Sequence, residues 1–114
     1  MAIRSLLPAE RRAYFEQVSR TLGAQRARVE IFGLGVGAQT VLDNIHLTGL
    51  SYDPRTDELE IFTDEIGHHI AQPREVYVDD DVEGLHSLEI VDDDGNKQIL
   101  RLKRPLTLPA SGQA

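Results

Sequence analysis

Between Pro8 and Leu22 the apolar residues Tyr14, Val18 and Leu22 recur every fourth position, with Phe15 beside them. That spacing places them on one stripe of a helix. Arg11, Arg12, Glu16 and Arg20 fall mostly off the stripe. Pro8 suits the first helical position, and Gly23 suits the left-handed stop beyond the last turn. The pattern predicts a helix over 8–22 whose stripe is narrow, so that it packs on a sheet.

From Arg26 onward the period drops to two. Ala27, Val29 and Ile31 alternate with Arg28 and Glu30, and Val41, Ile45 and Leu47 share one parity in a long extended stretch. After Gly49 the parity flips to Leu50 and Tyr52, which predicts a bulge or sharp bend there. Asp53-Pro54-Arg55-Thr56-Asp57 reads as a hairpin loop, and Asp92-Asp93-Asp94-Gly95-Asn96 as a second. Leu59 with Ile61, Val76 with Val78, Leu88 with Ile90 and Leu100 with Leu102 each alternate with polar neighbours. The fold expected is mainly β (α+β): one N-terminal helix and then about six antiparallel strands in meander order. One domain spans residues 1–104, with the helix at 8–22 and the sheet at 26–104, and 105–114 form a tail. Clean alternation means one buried and one wet face, so the sheet either curls into a small barrel or covers its inner face with the helix. The element order is that of a small SH3-like or Sm-like barrel, a comparison that carries no function.

The chain has 114 residues and a mass of 12.7 kDa, which allows one domain. Zero Cys excludes a disulfide scaffold, a thiolate zinc site, a Cys nucleophile and an iron–sulfur protein. Twelve Lys and Arg against 19 Asp and Glu, a net charge of −7, argue against nucleic acid as partner. No apolar run approaches the roughly 20 residues of a membrane helix, and Met1 to Leu7, interrupted by Arg4, does not read as a secretory signal. A soluble cytoplasmic protein is expected. The charge is split: residues 1–28 carry six Arg against two Glu, whereas 29–114 carry a net −11. Either a basic helix docks on the acidic body of its own domain, or the basic segment meets an acidic patch on a second copy or another protein. Arg11, Arg12 and Arg20 are the interaction candidates.

Gly33-Leu34-Gly35-Val36-Gly37 follows a predicted strand, as a phosphate-cradling loop would. Its G-x-G-x-G spacing is not the dinucleotide fingerprint, and nothing after Gly49 supplies a second helix. It reads better as a glycine hairpin. Four histidines occur, His46, His68, His69 and His86. A metal site would need three or four donors to converge, with Asp79 or Glu83 joining them. His68 and His69 are adjacent, so a strand would point them to opposite faces. Asp79-Asp80-Asp81 and Asp92-Asp93-Asp94 lack the ligand spacing of a calcium loop. Gly49-Leu50-Ser51-Tyr52-Asp53 lacks the final glycine of a nucleophile elbow, and the set Ser51, His46 and Asp53 is one any chain of this length offers. Arg101, Lys103 and Arg104 make a small basic cluster on the last strand, read as charges guarding a sheet edge.

Gly37-Ala38-Gln39, Leu47 to Pro54, Asp57 to Ile61, His69-x-Ile, Pro73 to Val78, Ser87 to Ile90 and Pro105-Leu106-x-Leu-Pro together resemble a family of short uncharacterised bacterial proteins, a domain of unknown function. The resemblance covers most of the chain and implies no activity, cofactor or partner. It also implies that Gly33 and Gly35 are peculiar to this chain and that Tyr14 stands where the family often has Trp. The function expected is binding or assembly without catalysis and without a cofactor. A second copy or another protein would be the partner, with no nucleic acid and no membrane. The alternative is a small metal-dependent protein or enzyme using His68 or His69 and nearby carboxylates, and His68, His69 and His86 are the candidate metal ligands.

Overall fold

Helix formation at the N-terminus follows from its ends. Pro8 occupies the first turn, the Glu10 carboxylate accepts the Leu7 backbone N–H at 2.8 Å, and Gly23 takes φ +56 just past the last turn. In the computed structural model, which describes residues 3–33, 35 and 37–108, the elements are β1 (Ile3–Ser5), α1 (Pro8–Thr21), β2 (Arg26–Gly33), β3 (Gly37–Asp53), β4 (Glu58–Thr63), β5 (Gly67–Ala71), β6 (Glu75–Asp81), β7 (Gly84–Val91) and β8 (Lys97–Leu106).

The eight strands form an antiparallel sheet in the order β1-β6-β7-β8-β2-β3-β4-β5. The helix-then-antiparallel-sheet reading is correct, and the strand count rises from about six to eight. The additions are β1, three exposed residues paired to β6, and β5. The sheet does not close: β1 and β5 end it on opposite sides, so the barrel alternative is not realised. It bends instead. The bend lies in β3, which pairs with β2 along its first part and with β4 from Leu47 onward. The register shift between Leu47 and Gly49 is the predicted parity flip.

Alpha-helix α1 covers the concave face. Phe15, Val18 and Leu22 pack with Leu47, Leu50, Leu59, Ile61, Ile70, Val76, Leu88 and Leu100 in one core. Ser19 Oγ donates to the Leu50 carbonyl at 2.8 Å and accepts the Leu50 N–H at 2.9 Å. The helix thus serves a backbone position beside the bulge. Tyr14 is half-buried at the side of the stripe, stacked under Arg4 at 5.6 Å and hydrogen-bonded to Asp80, which also pairs with Arg4 at 3.3 Å. Burial, with the Asp80 charge behind it, raises the Tyr14 phenol above its ordinary pKa. This trio ties β1 to the helix and to β6. At the other end, β8 continues to a buried Leu106, so the core reaches two residues past the expected boundary of the tail at 105. Residues 109–114 of that tail lie outside the described residues.

Candidate functional site

A strand of 17 residues has both sides paired only where a partner runs along each side. Beta-strand β3 has β2 beside its first part, while β4 begins only at Leu47, opposite Thr63. Among the described residues no strand lies on the second side of 37–46. The Asp64 N–H of the β4–β5 turn reaches the His46 carbonyl at 3.2 Å and closes the end of this gap. The free stretch is Gly-Ala-Gln-Thr-Val-Leu-Asp-Asn-Ile-His, which holds no Lys and no Pro and has Asp43 as its one carboxylate. Edge strands are usually blunted by shortness, Lys, Pro or bulges. Here β1 has three residues and β5 five, so both are blunted by length. The β3 edge carries only irregularities opposite Ala27 to Glu30, at Val41 and at Asp43–Asn44, where Asn44 takes φ +50. From Gly37 to Thr40 the ladder to β2 is regular.

Cations gather beside this edge on the convex face. Arg28 lies directly opposite Arg101 of β8, a like-charge pairing that costs energy unless counter-charges intervene. Glu30 and Asp43 intervene: Arg101 Nε donates to Glu30 Oε1 at 2.7 Å, and Arg28 Nε to Asp43 Oδ1 at 3.1 Å. The Arg28 hydrogen bond holds the Asp43 carboxyl below its ordinary pKa. Arg26 and Lys103 form no ion pair among the described residues. The Arg26 guanidinium reaches across to the Asn44 carbonyl at 2.7 Å and so lies on β3 itself. Lys103 lines a depression of about 250 Å³ with Arg28, Asp43, Asn44 and Arg101. At the β3 side of this face Arg26, Arg28 and Lys103 gather around Asp43, while Arg101 also borders Asp79, Asp81 and Glu89 on the side of β6 and β7. The reading of Arg101, Lys103 and Arg104 as edge guards is corrected here. Strand β8 lies between β7 and β2 and is not an edge.

The helix arginines divide. Arg11 is 3% exposed, its guanidinium over the Tyr52 ring at 5.4 Å, donating to the carbonyls of Pro73 at 3.1 Å and Arg74 at 3.4 Å. It clamps the helix to the β5–β6 connection and is closed to a partner, so the expectation that Arg11 is an interaction residue is corrected. Its Nε has no hydrogen-bond partner. Arg12 is exposed and pairs with Glu16 at 3.6 Å, and Arg20 is exposed in the last turn.

The structure separates His68 from His69, as adjacent strand positions must be. His68 faces inward and meets Gln98 at 2.6 Å, which in turn donates to Asp92 at 3.0 Å. His69 faces outward and meets Glu60 at 3.1 Å. They share no donor cluster, so the metal-dependent alternative built on this pair has no site among the described residues. The described side chains that bring three donor atoms within 4.8 Å of one another are Asp81, Glu83 and His86. There His86 Nε2 sits 2.9 Å from Asp81 Oδ1, raising the imidazole pKa above 6.5 and lowering the carboxyl below 3.8. Asp79, Asp80 and Asp81 end strand β6 and do not form a calcium loop. Asp92 caps its own turn by accepting the N–H groups of Asp94 and Asn96. His46, Ser51 and Asp53 all lie on β3. Five strand residues span roughly 16 Å, so His46 and Ser51 form no triad. Gly33 and Gly37 pair with each other at the β2–β3 hairpin, and no helix follows them, so no dinucleotide loop forms. Leu34 and Val36 of that loop lie outside the described residues.

The unpaired half of β3 was not legible from alternation, because alternation gives a strand's faces and not its neighbours. The usable signal was length, since an extended stretch from Gly37 to Asp53 is far longer than the six residues of β4 that return along it.

The model of a family of unknown function, DUF5335, matches residues 3–111, and the chain belongs to this family. An uncharacterized protein of Aquifex aeolicus (strain VF5) is 34% identical over 110 residues, covering 96% of this chain and 99% of its own length. No solved structure matches. No described helix is long and apolar enough to cross a membrane.

Proposed function

We propose that this member of a family of unknown function is a protein-binding module that takes up an extended segment of another polypeptide along the free edge of β3, residues 37–46. The observation that carries the reading is the unpaired backbone of that half-strand, long and without the Lys or Pro that would guard it. An added strand gains main-chain hydrogen bonds from the edge, while side chains alternating on its two faces select the sequence. The regular ladder at Gly37 to Thr40 offers a straight start, and the bulges at Val41 and Asn44 limit how far pairing runs. The reading requires no catalysis.

The test is a selection of ten-residue random peptides on the immobilised protein, run beside Gln39→Pro and Thr40→Pro variants. Successive strand residues send their N–H groups to opposite sides. One proline therefore removes an edge donor, and the other breaks the ladder to β2. Peptides with an extended consensus that bind the wild type and lose binding to the folded proline variant are the expected result. Peptides that bind both equally would place the binding surface elsewhere.

A further inference from the structure

The edge has an uncharged part and a charged end, and the contrast describes its partner. Gly37 to Leu42 carry no ionisable side chain. At Asp43 and Asn44 the surroundings change: the Arg26 guanidinium rests on the Asn44 carbonyl, Arg28 is on Asp43, and Lys103 lines the same depression as both residues. Asp43 is already hydrogen-bonded by Arg28, and Lys103 acts on the same carboxylate only through its charge, so neither Arg26 nor Lys103 has an ion pair among the described residues. The cation excess is independent of the missing strand, since it arises from β2 and β8, which are fully paired.

Resting on the strand-addition reading, we infer that the partner segment is acidic at one end: a run of uncharged, β-forming residues lies against Gly37 to Leu42 and is followed by an Asp or Glu carboxylate that sits between Arg26 and Lys103. Neutral positions would pair with the neutral edge through the backbone. The carboxylate would accept from Arg26, which has donor N–H groups beyond the one used on Asn44. Residues 29–114 carry a net −11, so a segment acidic throughout would be repelled along most of the sheet and attracted at this end. A basic segment would be attracted to the acidic body but repelled here. The charge thus fixes which way along β3 the segment runs, as well as which segments bind.

Two labelled ten-residue peptides test this. Both share an uncharged Thr/Val centre; one is flanked by two Glu at each end and the other by two Lys. Flanking both ends removes any dependence on strand direction. Binding is followed by fluorescence anisotropy and by amide shifts of the isotope-labelled protein, using wild type, the folded proline variant and the double variant Arg26→Glu with Lys103→Glu. The expected result is that the Glu peptide binds about tenfold tighter than the Lys peptide. The double variant should reverse that order, and proline should abolish both. Equal binding of the two peptides, or tighter binding of the Lys peptide, with proline still blocking, overturns the acidic partner and leaves strand addition standing. Absence of binding by both, or binding that proline leaves unchanged, overturns strand addition itself. Arg26 and Lys103 are exposed. An Arg26→Gln variant, which removes charge without reversing it, should fall between the wild type and the double variant.

Discussion

One strand lives in two environments. From Leu47 to Asp53, β3 has β4 on its free side and α1 over its face, and Leu47, Leu50 and Tyr52 are buried. From Gly37 to His46 it has β2 on one side and nothing described on the other, and most of its residues are exposed. Secondary structure is the same in both halves, and so is the ladder to a neighbouring strand. Each half has one strand partner, and what differs is the helix: from Leu47 on, α1 packs over the face and Ser19 serves the Leu50 N–H and carbonyl, and with that come the burial of side chains and the use of backbone groups. A β-strand's stability is set by its partners more than by its own residues. In this molecule the chain supplies one strand partner to each half and covers only 47–53 with a helix, which leaves the second side of 37–46 to the proposed ligand.

That comparison breaks most easily at Leu47. Leu47→Ala removes a fully buried side chain and should cost about 2–5 kcal/mol, whereas Val41→Ala in the open half should stay within roughly 0.5 kcal/mol. Urea denaturation of the two variants checks the contrast, and equal losses would mean that the open half is covered. Next comes the clamp on the buried half. Arg11→Ala leaves the Pro73 and Arg74 carbonyls without their donor and should cost about 2–3 kcal/mol, while Arg12→Ala, on the exposed side of the same helix, should be close to neutral in the same assay. Ser19→Ala sharpens the picture further. It leaves the Leu50 N–H and carbonyl unserved beside the bulge, for about 1–2 kcal/mol, and amide exchange at Leu50 should accelerate.

The smallest effect lies outside both halves and serves as a control. His86 has its pKa raised above 6.5 by the Asp81 hydrogen bond, so its contribution to stability is complete below that value and disappears as pH climbs through the raised one. Asp81 is lowered below 3.8, so its contribution is complete above that value and disappears as pH falls through the lowered one. The two overlap between about pH 4 and 6.5. His86→Ala should therefore lower the melting temperature slightly in that window and less at about pH 8. A larger loss at the alkaline end would show that His86 is held neutral.

Local chemistry made much of the fold readable. Pro8 and Gly23 bracket the helix, Asp53-Pro54 and Asp92 to Asn96 mark their hairpins, and the parity flip at Gly49 marks the bend. Beta-strand β5 was missed because Gly67-His68-His69-Ile70-Ala71 offers one strongly β-forming apolar residue and no alternation. Beta-strand β1 was missed because three exposed residues leave no pattern at all. The candidate site was legible only in pieces. Arg101 and Lys103 stood out as a cluster, but their meeting with Arg26 and Arg28 depends on β8 pairing with β2 across more than sixty residues of sequence, which no local pattern encodes. Arg11 runs the other way: its charge alone implies the surface, while two backbone carbonyls and the Tyr52 ring hold it inside.

The most direct test of the account is amide hydrogen exchange, residue by residue, with and without the Glu-flanked peptide. In the free protein, amides of residues 37–43 that point away from β2 should exchange far faster than those of 47–53. Saturating peptide should protect alternate positions in 37–43 and leave β5 unchanged. Slow exchange along 37–43 in the peptide-free protein, or protection that falls on β5 or β1 instead, would contradict the claim that this half-strand is an open edge awaiting a partner.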